Sequence, residues 1–432
     1  MSDTLNIAIA GLGTVGTGTL QLLDRQGNLL AERALQPLRV VAVADLDTGR
    51  DRGVDLGNIS CFDNALQMVA ETDVDVVVEL IGGSEGIARE VCEAAIAKGR
   101  HVITANKALL AHHGMEMAAR AEKAGVVLAY EAAAVGSIPI IKALREGPAG
   151  NRISRITGIL NGTCNYILSA MRATGKEFDE VLAEAQSLGY AEADPSFDVD
   201  GVDSAHKLAL LTAVAYGCII NFDGIYIEGI RHITARDIAC ADELGYRIKL
   251  LGTTRRLEKG VEQRVHPCLV PTGTPLSHVE GVLNAVMVEG DFVGPAMFEG
   301  AGAGSHPTAS AVVADMVDIA RGVVIPTFGR PVTELEKMSS VPMKNHSGAY
   351  YIRLSVTDKP GVIADISAIL RDGKISMESM LQHGCTDASL GAVTVVMTTH
   401  KTQESAMIEA LAKIDALPVV EEPPCMIRIE PL

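Results

Sequence analysis

The sequence predicts an α/β protein in three parts: a Rossmann-type domain, an α+β domain with a mixed sheet, and a C-terminal ferredoxin-like βαββαβ domain. Three observations predict it. Short apolar runs alternate with helical stretches over residues 1–135, an order that makes parallel βαβ units. That rhythm is lost from Asn151 onward. A stretch with Pro326, Pro331, Pro342, Gly329 and Gly348 and little periodicity then precedes a last strand, helix, strand, strand, helix, strand.

A chain of 432 residues suffices for two or three domains with cores that need no staples. Its net charge of -17 repels phosphate backbones and anionic membranes, and no basic stripe interleaved with aromatics is present. Nucleic acid and membrane are therefore not expected partners. The N-terminus has no basic region followed by a long apolar run, so the protein is expected in the cytoplasm. Eight cysteines, at 61, 92, 164, 218, 240, 268, 385 and 425, are dispersed without a C-x-x-C, which indicates neither a disulfide framework nor a zinc site.

The first strand, Ile7 to Ala10, runs at once into Gly11-Leu12-Gly13-Thr14-Val15-Gly16 and a helical stretch. Strand, G-x-G-x-x-G, helix is the context in which glycines admit a tight turn, let pyrophosphate approach bare backbone and pack helix on strand. A second strand, Leu38 to Ala44, ends at Asp45, placed to accept the adenosine ribose hydroxyls. Arg50 and Arg52 follow closely enough to meet a 2'-phosphate, so NAD and NADP both stay open. Strands at 74–80 and 101–104 end in Gly82-Gly83-Ser84 and Asn106-Lys107, where a nicotinamide would lie. A strand from Gly125 to Tyr130 leads to Glu131 and a run of small residues able to present carbonyls.

After Asn151 the pattern predicts a strand at 153–160, a turn at Asn161-Gly162-Thr163 with Thr163 as helix cap, and helices at 163–174 and 178–188. Strands at 247–254, 263–270 and 285–289 imply a sheet with helices on one face, the other serving dimerisation. Gly302-Ala303-Gly304 opens a helix that returns to the first domain.

The densest chemistry lies between Gly189 and Lys207, where Glu192, Asp194, Asp198, Asp200 and Asp203 precede His206 and Lys207. An EF-hand register puts Lys207 where the bidentate Glu belongs, which excludes that motif. If a helix begins near Val202, Asp203 and Lys207 stand one turn apart, either as a solvated surface pair or as part of a pocket for a cationic substrate.

Read together, Gly11 to Gly16, Thr104-Ala105-Asn106-Lys107, Gly158 to Thr163 with Asn165-Tyr166-Ile167, Gly189 to Pro195 through Lys207, and Gly302 to Gly304 with Pro307 to Ala311 resemble the homoserine dehydrogenases that carry a C-terminal ACT domain. Asp358-Lys359-Pro360-Gly361 resembles the ACT turn. The resemblance implies NAD(P)H-dependent, reversible reduction of L-aspartate 4-semialdehyde to L-homoserine in threonine, methionine and isoleucine biosynthesis, with threonine inhibiting through the ACT domain. By the same resemblance, Lys207 handles the proton beside Asp203 and Lys107 assists by charge. Glu192 and Asp198 hold the substrate ammonium, with Thr163 and Tyr190 lining the pocket. The cofactor residues are Gly11, Gly13, Thr14, Val15, Gly16, Asp45, Gly82, Gly83, Ser84, Asn106, Lys107 and Gly304. A sodium ion is implied at Glu131 with the carbonyls of Ala134, Gly136 and Ile138, although Ala134 stands where Val is expected and Ser137 where Gly is usual. The expected division is 1–135 for NAD(P), completed by 305–322; 136–304 for substrate and dimerisation; 323–348 as linker; and 349–432 as ACT domain. A homodimer or homotetramer is expected.

Two other readings stay open at this point. An aldehyde dehydrogenase acting on the same semialdehyde would need a thiolate, and Cys164 is the candidate at a helix start. A cofactor-binding amino-acid sensor with a dead catalytic site is the second, and the presence of Lys107, Asp203 and Lys207 argues against it.

Overall fold

The computed structural model describes residues 4–383 and 392–431. Cys385 lies outside them. The first part is β1 (Leu5–Ala10), α1 (Thr14–Ala34), β2 (Leu38–Ala44), β3 (Ser60–Phe62), α2 (Ala65–Glu71), β4 (Val76–Glu79), α3 (Ile87–Ala97), β5 (His101–Thr104), α4 (Lys107–Ala124) and β6 (Leu128–Ala129). Its strands form a parallel sheet in the order β3-β2-β1-β4-β5-β6, so the order reverses between β1 and β4 and opens a crevice at their carboxyl ends. The predicted strand at 125–130 shrinks to two residues because Gly125, in the left-handed region (φ 70), is the C-cap of α4. Helix α1 runs to Ala34 and so fills most of the long interval between the glycine motif and β2.

The second part comprises α5 (Ile140–Glu146), β7 (Ile153–Ile159), α6 (Gly162–Thr174), α7 (Phe178–Ser187), α8 (Ser196–Val199), α9 (Val202–Tyr216), β8 (Tyr226–Ile227), α10 (Ala235–Glu243), β9 (Tyr246–Leu257), β10 (Gly260–Pro271), β11 (Leu283–Gly290), β12 (Gly294–Ala301) and α11 (Ser305–Ala320). Helix α11 returns to the first part, where Ala311, Val312 and Met316 pack with Ile7, Leu20 and Leu30. Gly18 of α1 permits this close packing, since a Cβ there would fall 2.4 Å from Ser305 Oγ.

The third part is β13 (Ser347–Thr357), α12 (Val362–Asp372), β14 (Met377–His383), β15 (Ala392–Thr399), β16 (Thr402–Gln403), α13 (Glu404–Asp415) and β17 (Val420–Ile429), the expected βαββαβ order. It does not form a sheet of its own. Strand β17 pairs with β13 on one side and, in parallel, with β10 on the other, giving one mixed sheet in the order β12-β11-β7-β9-β10-β17-β13-β15-β14. Ion pairs seal the seam: Arg428 reaches Glu404 and Glu228, each at 2.5 Å, and Arg264 reaches Glu430 at 2.8 Å, with both arginines buried. Residues 323–348, whose composition reads as a linker, are held down. His346 Nδ1 lies 2.8 Å from Glu262 Oε1, Val261 and Ser340 form a bridge, and Phe328 is buried.

Candidate active site

The turn between β7 and α6 organises the site. Gly162 is required there, because a Cβ would fall 2.6 Å from the Val282 carbonyl oxygen. The helix cap is Asn161 rather than Thr163: its Oδ1 accepts from Cys164 N at 2.8 Å. With its acceptor committed to the helix, the amide Nδ2 donates to Asp198 Oδ1 at 2.8 Å and to Asp203 Oδ2 at 2.9 Å. One side chain thus ties together the two acids at the centre of the acidic stretch. Thr163 Oγ1 lies 2.8 Å from the Tyr190 carbonyl oxygen and 3.2 Å from Asp198 Oδ2, two acceptors for its one hydrogen.

Helix α9 begins at Val202, as expected, and carries Asp203 and Lys207 on one face. They are not a surface pair, because their side chains are 5% and 9% exposed. Lys207 Nζ donates to Asp203 Oδ2 at 2.8 Å and to the Leu160 carbonyl at 2.7 Å. An ammonium has three donors, so one remains for a ligand. From the first part of the chain, Lys107 Nζ reaches the other oxygen of Asp203 at 3.1 Å. Burial raises the Asp203 carboxyl, but the charges of Lys207 and Lys107 and hydrogen bonds from Lys207 and Asn161 outweigh it and hold it well below the usual carboxylate range. The Asp203 charge in turn raises the Lys107 ammonium against the opposing effect of burial. Asp198 goes the other way: burial and the nearby Asp203 raise it, and the hydrogen bonds from Asn161 and Thr163 compensate only in part. A cation docked beside Asp198 would relieve it.

These groups line a cleft of about 620 Å³ together with Thr14, Val15, Tyr190, Glu192 and Gly304. Glu192 is exposed at the cleft, and Tyr190 packs on Tyr166 with ring centroids 4.9 Å apart. A second cleft of about 470 Å³, lined by Gly11, Gly13 and Asp45, lies across the Gly11–Val15 turn. The three glycines of the motif divide the labour. A Cβ on Gly11 would strike the Leu80 carbonyl at 2.6 Å and one on Gly16 the Gly11 carbonyl at 2.0 Å, whereas nothing lies within 4 Å at Gly13, the position left open for a ligand. Asp45 accepts from Leu12 N at 2.7 Å and from Arg52 Nη2 at 3.0 Å, so a guanidinium stands beside the carboxylate that lines this second cleft.

Gly16, Gly82, Gly83, Ser84 and Asn106 line neither cleft. Asn106 caps α4 by accepting from Leu109 N and donates to the Gly83 carbonyl at 2.6 Å, which fixes Lys107 as the first residue of the helix. The buried Glu79, which sequence reasoning passed over, joins β4 to β5 by accepting from Ile81 N, Gly82 N and Thr104 Oγ1. Asp194 and Asp200 shape the loop: Asp194 accepts from Ser196 N at 3.1 Å, and Asp200 pairs with Arg231 at 2.5 Å.

Glu131 is buried, with Oε1 accepting from Ile141 N (2.9 Å) and Oε2 from Lys142 N (2.8 Å). Burial and the neighbouring Asp315 push its carboxyl up to about 7, and Asp315, also buried, is itself raised. Ala134, Gly136 and Ile138 follow in a tight turn in which Gly136 (φ 51) abuts Gly302. Cys164 has no nucleophilic character. It is fully buried, its Sγ lies 3.2 Å from the Asp198 carbonyl, and burial with the nearby carboxylates pushes the thiol well up.

Comparison with known proteins follows the same lines. A family model for the NAD binding domain of homoserine dehydrogenase matches residues 11–131, one for homoserine dehydrogenase matches 139–317, and one for the ACT domain matches 350–416. The homoserine dehydrogenase of Neisseria gonorrhoeae is 46% identical, and that of Pseudomonas aeruginosa 44%, each over 99% of both chains. The crystal structure of a homoserine dehydrogenase from Thiobacillus denitrificans superposes with a TM-score of 0.93 at 46% identity, covering 99% of each chain.

Proposed function

Because this chain belongs to the homoserine dehydrogenase family, we propose that its own residues carry the interconversion of L-aspartate 4-semialdehyde and L-homoserine in the cleft between Lys107, Asp198, Asp203 and Lys207. The activity is that of an NAD(P)-dependent oxidoreductase acting on a CH-OH group. The aldehyde-dehydrogenase reading fails with the buried Cys164. The observation that carries the assignment of roles is the single Asp203 carboxylate shared by two lysines from different parts of the chain.

The bound dinucleotide supplies or takes the hydride. In the reducing direction Lys207 gives a proton to the aldehyde oxygen as the carbonyl carbon gains hydride, and Asp203 steadies the ammonium that gives it. Lys107 adds positive charge where the alkoxide develops. Asp198 and Glu192 take the substrate ammonium, with Thr163 and Tyr190 shaping the pocket around them. Gly11, Gly13, Thr14, Val15 and Gly304 receive the dinucleotide backbone, while Gly16, Gly82, Gly83, Ser84 and Asn106 set the turns that shape its site. Asp45 faces the ribose hydroxyls, and Arg52 beside it is the group a 2'-phosphate would meet. Asp198→Asn tests the ammonium site: KM for homoserine should rise about tenfold or more with dinucleotide affinity unchanged, the loss of a charge-assisted hydrogen bond. An unchanged KM would remove Asp198 from that role.

A sodium ion is proposed at Glu131 with the carbonyls of Ala134, Gly136 and Ile138. Two buried, raised carboxylates stand close together there, and although Arg145 lies near Asp315, the nearby Lys142 is drawn to Asp318 as well as to Asp315, so a cation beside Glu131 would relieve the crowding of negative charge. Since the folded Glu131 holds its proton up to about 7 while an unfolded Glu releases it near 4.5, its contribution to stability falls as pH rises between the two. Sodium should restore that loss. Its gain in Tm over tetramethylammonium is expected to be larger at about pH 8 than at about pH 6, and absent in Glu131→Gln. An equal gain at both pH values would contradict the site.

We divide the chain as 1–135 with 305–322, 136–304, 323–348 and 349–432, and assign the protein to the cytoplasm as a homodimer or homotetramer. Among the described residues no helix is long and apolar enough to cross a membrane. Phe292, 88% exposed, and Val293 at the β11–β12 turn of an edge strand support self-assembly. Threonine is the proposed effector of the ACT domain. A route to the site supports this: Arg428 of β17 holds Glu228, and three residues on Arg231 grips Asp200 and Ser196 beside Asp198.

A further inference from the structure

Lys107 is less enclosed than Asp203 and Lys207, with its side chain 30% exposed, so something must keep a flexible four-carbon stem aimed into the cleft. Among the described residues the contacts of its ammonium are Asp203 and the face of the Phe197 ring, 5.7 Å from the ring centroid. Phe197 is itself 42% exposed and sits on the single turn of α8, a weak mounting for a ring. Its other support is His206. The imidazole lies stacked against Phe197 (centroids 5.5 Å, 25°) and stacked more tightly against Phe222 (4.5 Å, 8°). His112, on α4 five residues after Lys107, closes the column edge-on, with its Nε2 3.3 Å from that of His206. A column Phe222, His206, Phe197, Lys107 therefore runs from the substrate part of the chain to the first residue of α4.

We propose that Phe197, backed by His206, is a positioning residue that holds Lys107 over Asp203 through its ring face. The negative face of an aromatic ring attracts an ammonium without bonding it, so Lys107 is confined on one side while its hydrogens stay available to Asp203 and to a substrate oxygen. His206 serves as a spacer by being neutral. Burial, followed by the neighbouring His112, lowers it to about 4, and an imidazolium in the column would repel the lysine it supports. The inference rests on the reading that Lys107 assists the reaction.

The test uses the full chain and steady-state semialdehyde reduction, with dinucleotide affinity and Tm measured alongside. Phe197→Leu, which keeps apolar bulk but removes the ring face, is expected to lower kcat about 3- to 10-fold with dinucleotide affinity unchanged. Phe197→Tyr should stay within about twofold of the unsubstituted enzyme, and His206→Phe, which preserves the stack, should do so too. In a Lys107→Met background Phe197→Leu should cause no further loss. Full kcat in Phe197→Leu, Phe197→Tyr as slow as Phe197→Leu, or an undiminished further loss in Lys107→Met would each overturn the proposal. Full activity in Lys107→Met alone would instead remove the reading of Lys107 on which it rests.

Discussion

Arg428→Met is expected to cost about 3–5 kcal/mol of stability and to lower Tm by on the order of 10 °C, although the residue lies in the C-terminal part of the chain. Arg428 is buried, and its guanidinium neutralises Glu404, which is 1% exposed, and Glu228 across the seam between β17 and β10. Methionine fills much of the space but leaves two carboxylates without their cation, which is where the penalty arises. Glu404→Gln added to Arg428→Met should recover part of the loss, whereas the exposed pair of Arg371 with Asp372 gives a control, since Arg371→Met should change stability by less than about 0.5 kcal/mol. Chemical denaturation of the three variants checks this. Equal, small effects at both sites would mean that the seam does not bind the parts together. Removing residues 349–432 would break the same seam. That cut would bare the edge of β10 and leave the buried Arg264 without Glu430, so loss of folding would mask any loss of regulation.

Asp203→Asn should be the most damaging conservative change in the cleft. It keeps shape but removes the anion shared by Lys207 and Lys107, so kcat is expected to fall by about 10²-fold or more. Stability should fall as well, by a few kcal/mol at neutral pH, because the Lys207 ammonium loses its partner in a buried setting. The pH dependence has a definite sign. A carboxyl held below its unfolded value of about 3.9 stabilises the fold above that pH, and the contribution is lost as pH falls toward the folded value. Acid titration of stability below about pH 4 should therefore be shallower in Asp203→Asn than in the unsubstituted protein. An identical acid limb would show that Asp203 is not held in its charged form by the two lysines.

Local signals carried far into this molecule. The glycine motif, the acid at the end of β2 and the Asp203–Lys207 spacing each depend on a few neighbouring residues, and the turn, the strand end and the helix face they imply are present. What stayed illegible depends on contacts distant in sequence. Asn161 looked like part of a turn with Thr163 as its cap, and only the folded chain shows its amide bridging Asp198 and Asp203, some forty residues on. Strand β17 reads as the last strand of a small domain, because pairing with β10 is a property of two edges that meet in space. Strand β12 was hidden by its glycines and proline, which suit an edge strand but resemble a turn. The prolines of 323–348 signal extended backbone correctly, yet composition does not say whether such a segment is free or, as here, pinned by His346 and Phe328.

We propose that the ammonium of Lys207, with two hydrogens committed to Asp203 and Leu160, supplies the third to the substrate oxygen. Single-turnover oxidation of bound NADH or NADPH by aspartate semialdehyde in Lys207→Ala tests it most directly, with dinucleotide binding followed by fluorescence. Dinucleotide affinity should be unchanged and the hydride-transfer rate lower by about 10²–10⁴-fold. A Lys207→Ala enzyme that oxidises the dinucleotide at the unsubstituted rate would contradict it.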